Sequence, residues 1–427
     1  MEETVKRFAF VVLLMLLCPL IACDGQENNN VEFDAAVQPT DRSDPWDDSP
    51  GDFDDDDDND DNDPGDDDAP FNPAEKGPYE VGNTTRIFID PTRVDFWGER
   101  ELMTEIWYPA APEAAQMEVD TVDQFLGQYI DLLATIFGLL LPEEELQNFY
   151  APTRSVRDAP IAAGGPWPVV VFGHGNGGVR FQNMHLCEHL ASHGFVVLSC
   201  DHTGNAAVSP LPSGLIIFNP IAMPFEFFWR QSDLSFLIDA ADWLNEYDPE
   251  GVFTGKIDAE RCAVGGHSFG GVAAQEQTKH DQRIQAMFSL AGFSFPFAFD
   301  QIQAPGLFFW GWEDHTLIDL NVVQATQAYE KWPQTKVWVS VNDAGHYSWT
   351  DVCDLVPTLM GSGDGCGEGE RLEDGSPFNF VPNETMYDLM NYYVTSFLAW
   401  ALRGDDMWES LTTNVYPEQI NMYWSIQ

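Results

Sequence analysis

The chain has 427 residues, and its hydrophobic fraction of 44%, with 14 Trp and 30 Phe, is enough for a sizeable core. This composition excludes a wholly disordered protein, and the length predicts one large domain or two modest ones. Seventy acidic side chains against 19 basic ones give a formal net charge of −51. That charge argues against nucleic acid as a partner, because binding it requires Lys and Arg to neutralise phosphates.

The N-terminus is predicted to be a targeting segment. Two basic residues precede an apolar run over 8–17, which is too short to span a bilayer, so residues 1–23 are predicted to be a signal peptide. The tetrapeptide Leu-Ile-Ala-Cys at 20–23 resembles the bacterial lipobox, whose cysteine receives a diacylglycerol and becomes the new N-terminus. Cys23 is therefore the predicted lipidation site. The protein is then an exported lipoprotein, anchored to a membrane on the periplasmic or cell-surface side of the envelope. An ordinary signal peptide and an uncleaved anchor are the alternatives.

Residues 24–78 form a separate acidic stretch. They hold 21 acidic side chains against two basic ones, a net charge of −19, and consist mainly of Asp, Asn, Pro and Gly. Such a stretch cannot bury apolar area and its like charges extend it, so we interpret it as a disordered tether. Calcium binding by its oxygen atoms is the weaker alternative, because the stretch contains no complete calcium loop with a closing Glu.

Residues 79–427, which carry a net charge of −32, are predicted to form one α/β domain. Short runs rich in β-branched and aromatic residues alternate with helical patterns, which favours parallel pairing in a doubly wound sheet of about eight strands with helices on both faces. The predicted strands are 86–89, 102–108, 168–172, 195–200, 262–265, 286–290, 306–310 and 336–341. The predicted helices are 182–193, 231–246, 269–280, 319–331 and 384–402.

Two apolar segments interrupt this alternation. Residues 120–149 contain a run rich in Leu, Ile and Phe that ends at Pro142, while residues 211–229 are rich in Phe, Ile and Pro. For each segment two interpretations are possible, a lid over an apolar cleft or a peripheral element packed on the core. Arg230 and Asp233 follow the second segment, and their charges predict either a contribution to the pocket entrance or a surface ion pair.

A nucleophile motif lies between a predicted strand and a predicted helix. Residues 266–270 read Gly-His-Ser-Phe-Gly, the G-x-S-x-G pattern of a nucleophile elbow. In such an elbow the glycines permit a sharp turn, so that the Ser268 hydroxyl projects at the strand end above a helix N-terminus. Ser268 is therefore the predicted nucleophile. His267 lies inside the motif and is predicted to pack beside the nucleophile rather than to react.

Ser268 needs a base and an acid, which follow it in the order Ser, acid, His in this fold. Asp314 comes after the strand predicted at 306–310, and His346 comes after the strand predicted at 336–341. His315 cannot easily point back at the adjacent Asp314, so His346 is the predicted base and Asp314 the predicted acid that holds its tautomer. Glu313 and Asp319 are weaker candidates for the acid.

The developing oxyanion needs two backbone N–H donors. The residue after the nucleophile, Phe269, is predicted to supply one of them. The glycine-rich loop after the strand predicted at 168–172 is predicted to supply the other through Asn176. His174, in the same loop, is predicted to brace the loop by hydrogen bonds rather than to take part in catalysis.

These motifs together resemble the platelet-activating-factor acetylhydrolase and dienelactone-hydrolase-like branch of the α/β-hydrolases. The resemblance implies a calcium-independent serine esterase for short acyl or oxidised phospholipid esters, with catalytic residues Ser268, Asp314 and His346 and oxyanion donors Asn176 and Phe269. The serine departs from the cysteine of dienelactone hydrolases, and residues 201–205 depart from the acetylhydrolase loop, so the reaction class transfers better than the substrate. The matching pieces are Glu105-Ile106-Trp107-Tyr108-Pro109, His174-Gly175-Asn176-Gly177-Gly178, Ala191-Ser192-His193-Gly194-Phe195-Val196-Val197, Gly266-His267-Ser268-Phe269-Gly270-Gly271 and His346-Tyr347-Ser348-Trp349-Thr350-Asp351.

The cysteines and acidic loops complete the prediction. Export permits disulfides, and Cys353 and Cys366 flank a Gly-rich loop after His346, so we expect them to pair. Cys187, Cys200 and Cys262 fall on helix or strand positions and are expected to be buried thiols. No His, Cys or Asp cluster has ligand spacing, so no metal or cofactor is expected. The acidic loop 361–374 is expected to be solvated rather than to hold calcium.

The sequence therefore predicts an anchored serine hydrolase of short-chain acyl or lipid esters. A polyester or cutinase-like hydrolase is the alternative within the enzyme class, because the same site accepts any accessible ester. A surface binding module on a non-catalytic hydrolase scaffold is the alternative from another class, although every predicted catalytic position is occupied.

Overall fold

The computed structural model describes residues 72–138, 141–317, 319–358 and 363–427. The predicted signal peptide, Cys23 and the predicted tether up to residue 71 lie outside the described residues. The anchor and the tether therefore stay predictions. Within the described ranges, no helix is long and apolar enough to cross a bilayer.

Ten strands form one large sheet, in the order β14-β11-β10-β9-β8-β4-β5-β2-β1-β3. The six strands from β11 to β5 pair in parallel, while β2 joins β5 and β14 joins β11 in antiparallel pairs. Two short antiparallel hairpins, β6-β7 and β12-β13, lie outside this sheet. The strands are β1 Glu80–Asp95, β2 Gly98–Ala110, β3 Val156–Arg157, β4 Trp167–Gly173, β5 Val196–Asp201, β6 Val208–Leu211, β7 Gly214–Ile217, β8 Ile257–His267, β9 Ile284–Leu290, β10 Gly306–Gly311, β11 Lys336–Val341, β12 Glu368–Glu370, β13 Pro377–Asn379 and β14 Ile420–Ser425.

All eight predicted strands belong to this sheet, and the two others in it, β3 and β14, were not predicted. Strand β3 has two residues, too few for any sequence pattern. Strand β14 pairs with β11 on one side only, so it forms the edge of the sheet, and most of its residues are half-buried or exposed. An edge strand has no need of the continuous apolar run that marks a strand covered on both faces.

The helices cover both faces of the sheet. The α-helices are α1 Ile130–Phe137, α2 Glu143–Leu146, α3 Met184–Ser192, α4 Met223–Glu246, α5 Phe269–Thr278, α6 Asp319–Lys331, α7 Val352–Leu355, α8 Asn383–Leu398 and α9 Trp408–Thr412. Shorter 3-10 helices are Pro112–Gln116, Val122–Tyr129, Gln147–Tyr150, Phe299–Gln301 and His346–Trp349, and a π-helical turn, Ala399–Arg403, follows α8.

The core consists of two apolar layers on opposite faces of the sheet. Val170 and Phe172 of β4 pack in the layer with α3 and α8, whereas Val169 and Val171 pack in the layer with α4 and α6. Because successive residues of a strand point to opposite faces, a strand buried on both faces must be apolar throughout. This is why β4 could be recognised as a central strand.

The two apolar segments, 120–149 and 211–229, are organised in different ways. The segment 211–229 divides between the end of the β6-β7 hairpin and the first turns of α4, which begins at Met223 rather than at residue 231. A proline occupies the second helical position of α4, where its missing N–H costs no intrahelical bond. In the segment 120–149, Phe125 is buried and stacks on Phe181 at 5.0 Å between ring centroids, so its first part belongs to the core.

Residues 72–78, which were assigned to the tether, pack on helix α3. The His189 and His193 imidazoles donate to backbone oxygens of this segment, at Pro73 and Glu75, and both bonds are 2.8 Å long. The Gly77 N–H donates to the Ser192 hydroxyl at 2.9 Å. The folded unit therefore includes these residues, because their backbone groups bond to the side chains of His189, Ser192 and His193 at the end of α3.

We expect a chain of residues 79–427 to be less stable than a chain of residues 72–427. Removing the segment breaks three hydrogen bonds, and at about 1 kcal/mol each the free energy of unfolding falls by about 3 kcal/mol. Urea unfolding of both chains measures the difference. In the longer chain, Lys76→Ala loses only an exposed ion pair with Glu80 and serves as the control, with little expected change. Equal unfolding midpoints for the two chains would contradict the role of the segment.

Candidate active site

Ser268 lies on a strained turn between β8 and α5. Its backbone has φ 53° and ψ −120°, a conformation that L side chains rarely adopt. The Ser268 N–H donates to the Leu290 carbonyl of the neighbouring strand at 2.8 Å, which fixes the turn against the sheet. A Cβ on Gly270 would lie 2.0 Å from the Gly173 carbonyl oxygen, so only glycine fits there. The side chain of Ser268 is partly exposed at the apex.

Ser268, His346 and Asp314 form one line of hydrogen bonds. The Ser268 hydroxyl donates to Nε2 of His346 at 2.8 Å, and Nδ1 of His346 donates to Oδ2 of Asp314 at 2.7 Å. The second carboxylate oxygen of Asp314 accepts the N–H groups of Thr316 and Leu317 at 3.0 and 2.8 Å. In such an arrangement the imidazole can take the hydroxyl proton, while the carboxylate holds its tautomer and offsets the imidazolium charge.

The three residues meet because each follows the carboxyl end of a parallel strand. Ser268 follows β8, while Asp314 and His346 lie three and five residues beyond the ends of β10 and β11. Functional side chains in open α/β sheets gather at this edge. The weaker acid candidates lie elsewhere: Glu313 accepts bonds from Arg371 and the Leu372 N–H, and Asp319 begins helix α6.

The sequence did not reveal a second carboxylate, Asp364, behind His346. Oδ1 of Asp364 accepts the backbone N–H groups of His346 and His315 at 2.8 and 3.0 Å, and Oδ2 accepts the Thr316 hydroxyl at 2.7 Å. The Asp364 carbonyl also accepts the Tyr347 N–H at 2.9 Å. Asp364 is buried, whereas its loop was expected to be solvated. It thus connects the loops of the base and the acid.

A disulfide holds the loop of Asp364 in place. Cys353 and Cys366 are bonded, and Asp364 lies two residues from Cys366. The predicted buried thiols, Cys187, Cys200 and Cys262, are free and buried in the structure. Within the described ranges, no group of three His, Cys, Asp or Glu side chains is placed to hold a metal ion.

Burial and charge act in opposite directions on His346. Burial alone would lower the pKa of the His346 imidazole, but the Asp314 carboxylate and the more distant Asp364 carboxylate raise it above its ordinary value. Burial raises the pKa of Asp364, and the neighbouring His346 opposes that effect. The protonated form of His346 is therefore stabilised by the charges around it.

Two other histidines near Ser268 are buried and fully bonded. His174 donates through Nδ1 to the Gly175 carbonyl at 2.6 Å, and its Nε2 accepts the His202 N–H at 3.2 Å. His267 accepts a bond from the Gln182 amide at 2.8 Å and donates to the His346 carbonyl at 2.9 Å. Burial lowers the pKa of both imidazoles well below its ordinary value, so both are neutral. Both ring nitrogens of His174 and of His267 are therefore occupied by protein partners, and neither imidazole is available to exchange a proton with a substrate.

The loop of Asn176 lies directly against the start of α5. Besides the Gly173 oxygen, the His174 oxygen would lie 2.7 Å from a Cβ on Gly270, so this loop and the backbone after Ser268 are in contact. Asn176 itself is exposed, and its side-chain oxygen accepts a bond from the Asn205 amide at 2.8 Å. The predicted oxyanion donors therefore lie on two adjoining segments.

Arg230 and Asp233 are both fully buried on α4, so they form no surface ion pair. Asp233 accepts bonds from Arg93, Arg100 and His202 at 2.6 to 3.1 Å. The Arg230 guanidinium instead donates to the His174 carbonyl. The sequence could not indicate this, because charged residues on a helix are usually exposed.

Comparisons with known proteins agree with this fold. The family model of platelet-activating factor acetylhydrolase, isoform II, matches residues 68–211, and the PET hydrolase-like model matches residues 231–358, which include Ser268, Asp314 and His346. Platelet-activating factor acetylhydrolase of Cavia porcellus is 24% identical over 391 residues, covering 81% of this chain and 83% of that protein. The Gallus gallus protein of the same name is 20% identical over 404 residues, covering 82% of this chain and 88% of that protein.

A solved structure, ferulic acid esterase from Streptomyces cinnamoneus, superposes with a TM-score of 0.63 at 24% identity, covering 81% of this chain and 96% of that chain. The mostly parallel sheet with helices on both faces is thus an α/β-hydrolase fold. Within that fold, the chain is similar to the platelet-activating factor acetylhydrolases, and it is a carboxylic ester hydrolase.

We expect Asp364→Asn to lower the pKa of His346. The amide keeps an oxygen for the two backbone N–H groups but removes the negative charge that helps to raise this pKa. NMR titration of the His346 imidazole, assigned with His346→Asn, measures the change. Since a lower pKa leaves more neutral imidazole in acid, the acid limb of the kcat/KM profile moves to lower pH.

The control for this prediction is Asp374→Asn, which removes an exposed carboxylate from the same acidic loop. Its titration curve for His346 should match that of the unchanged protein. If Asp364→Asn also left the curve unchanged, Asp364 would have no electrostatic influence on the base.

Proposed function

We propose that this ester hydrolase is a serine esterase that acts through an acyl-enzyme on Ser268, with short-chain acyl esters or lipid esters as substrates. The observation that carries the proposal is the line of hydrogen bonds from the Ser268 hydroxyl through His346 to Asp314. It is supported by the partial exposure of Ser268, because a substrate carbonyl must reach the hydroxyl.

The proposed reaction has two steps, acylation and deacylation. Nε2 of His346 takes the Ser268 proton as Oγ attacks the ester carbonyl carbon, and the imidazolium then gives that proton to the departing alkoxide. Water attacks the acyl-enzyme in the second step, with His346 again as base, and Ser268 leaves with its proton restored. The N–H groups of Phe269 and Asn176 stabilise the oxyanion in both steps.

An exposed aromatic rim beside the site supports an apolar substrate. We define the aromatic rim as four exposed rings, Phe96 and Trp97 on the β1-β2 turn and Phe225 and Phe228 in the first turns of α4, together with the exposed Ile221 just before that helix. Phe96 contacts Phe225 at 5.7 Å between centroids, which joins the two elements. The Trp97 ring lies against Gly204, next to the Asn205 that bonds Asn176. The rim therefore reaches the loop of the proposed oxyanion site.

The rim exposes apolar surface in a strongly acidic protein. Glu226 and Arg230 on the same helix are fully buried, and the Asp95 side chain beside Phe96 is 2% exposed. Exposed apolar patches of this kind mark contact with a partner, a ligand or a lipid surface. This favours esters presented by an aggregate or a surface over small charged esters.

A polyester hydrolase is the second candidate. It is favoured by the PET hydrolase-like match over residues 231–358, which contain the proposed catalytic residues. The aromatic rim fits a polymer surface as well as a lipid aggregate. The two candidates differ in the substrate that gives the highest turnover, so a direct comparison of substrates separates them.

We expect Ser268→Ala to abolish ester hydrolysis without unfolding the protein. The loss of kcat should be at least about 10⁴-fold, because the nucleophile and its base act as a unit. The measurement is turnover of a chain-length series of p-nitrophenyl esters and of a polyester film by residues 72–427, with fluorophosphonate labelling of Ser268. Highest turnover at acetate or butyrate supports the acetylhydrolase-like function, and preference for the film supports the polyester hydrolase. Labelling that persists in Ser268→Ala would contradict the proposed nucleophile. If the unchanged protein were folded but neither hydrolysed these esters nor reacted with the label, a binding module would be favoured.

We expect Phe225→Ser combined with Phe228→Ser to impair hydrolysis of aggregated esters selectively. Losing the contact of two rings with an apolar surface costs about 1–3 kcal/mol, so activity on a micellar ester should fall about 5- to 150-fold. Activity on soluble p-nitrophenyl acetate should change less than about 2-fold, because the rings lie outside the reacting groups. Trp243→Ser removes an exposed aromatic residue from the same helix and is the control. Equal losses on both substrates would contradict a surface-binding role.

A further inference from the structure

Arg230 is a buried cation to which the proposed mechanism gives no role. Its side chain is fully enclosed on α4. Within the part of the chain that the structure describes, no carboxylate oxygen lies within 4.0 Å of its guanidinium, although Arg100 and Arg93 on neighbouring strands are paired with Asp233. Burial lowers the pKa of Arg230 to about 10. A charge buried without an ion pair is costly, so its hydrogen bonds must account for its position.

The guanidinium of Arg230 holds the loop on one side of Ser268. Nη2 of Arg230 donates to the His174 carbonyl, and Nη1 donates to Oδ1 of Asn205 at 2.8 Å. The Asn205 amide donates in turn to the Asn176 side chain at 2.8 Å, and the Asn205 carbonyl accepts the Gly177 N–H at 3.1 Å. Arg230 thus bonds the loop directly at His174 and, through Asn205, holds Asn176 and Gly177.

The same guanidinium also contacts the other side of Ser268. Its central carbon lies 4.9 Å from the centroid of the Phe269 ring, in cation–π geometry. Phe269 is the first residue of α5 and directly follows Ser268. Because the ring and the N–H belong to the same residue, a fixed ring restricts the backbone that presents this N–H.

We propose that Arg230 is a positioning residue that holds the two oxyanion-binding segments, Asn176 with its loop and Phe269 at the start of α5, at a fixed separation. This inference rests on the proposed function, in which these two residues supply the oxyanion donors. Arg230 does not touch the reacting atoms. Its bonds to the His174 carbonyl and Asn205 and its contact with Phe269 set the geometry into which the oxyanion forms.

The test compares Arg230→Met and Arg230→Lys with Arg100→Lys in the chain of residues 72–427. We expect Arg230→Met to lower kcat on p-nitrophenyl butyrate about 100-fold with little change in KM, as for loss of an oxyanion donor. Arg230→Lys should lose about 10-fold, because an ammonium cannot keep both hydrogen bonds and the flat ring contact. A further variant, Arg230→Ala, leaves a cavity where the guanidinium stood. Millimolar guanidinium added to this variant should restore part of its activity.

Arg100→Lys is the matched control. Arg100 is equally buried and stacks on Trp229 at 5.3 Å, but its hydrogen bonds go to Asp95, Thr203 and Asp233 rather than to the segments around Ser268. It should lower the melting temperature with kcat within about 3-fold of the unchanged protein. A purely structural role for Arg230 predicts the same behaviour for both arginines, and that outcome would overturn the inference.

The outcomes separate the two proposals. Hydrolysis that persists in Ser268→Ala overturns the proposed function and this inference with it. Hydrolysis that requires Ser268 but proceeds at an unchanged kcat in Arg230→Met, or in Arg230→Lys where the Met variant does not fold, overturns only the role of Arg230. A selective loss of kcat in the Arg230 variants, with guanidinium rescue, supports it.

Discussion

The geometry of the site depends on how closely three stretches of backbone approach one another around Ser268. A Cβ on Gly270 would lie 2.0 Å from the Gly173 oxygen, and one on Gly266 would lie 2.4 Å from the Gly270 carbonyl carbon. Backbone atoms cannot yield by such amounts, so β8, α5 and the loop after β4 meet only where side chains are missing. This contact places the first N–H groups of α5 beside the loop of Asn176. The strained backbone of Ser268 is a consequence of the same close approach.

The loops beyond this contact begin where the strands end, so they leave the hydrogen-bond ladder of the sheet. Buried charges also hold them in place. Asp364 binds the N–H of His346 and groups of the Asp314 loop, and Arg230 binds the loop of Asn176 and the Phe269 ring. An anion thus accepts from backbone N–H groups on one side of Ser268, and a cation donates to a backbone carbonyl on the other. Burying a charge costs free energy, and the hydrogen bonds that Asp364 and Arg230 make to these loops offset part of that cost.

Chain order and the positions of strand ends were enough to predict from the sequence which three residues the fold brings together. The eight predicted strands were recognisable because most are apolar on both faces, and Ser268, Asp314 and His346 were chosen because each follows such a strand. Strand β14 and the first turns of α4 were missed, since an edge strand is half polar and a helix that begins at Met-Pro resembles a loop. Asp364 and Arg230 were beyond prediction in their present roles. Each of them is buried against segments that are distant from it in the chain, and a single sequence does not show such contacts.

Two neighbouring histidines, His267 and His346, are both buried, but their electrostatic surroundings are opposite. The ring of His267 lies 4.8 Å from that of His346, between centroids, and a positive charge on His267 would disfavour the imidazolium form of His346. Burial keeps the pKa of His267 well below its ordinary value, and the Gln182 amide and the His346 carbonyl satisfy both nitrogens of the neutral ring. His346 has the opposite environment, because Asp314 raises its pKa despite burial. A neutral His267 therefore does not oppose the raised pKa of His346, and in the proposed mechanism it leaves the proton transfer to His346 alone.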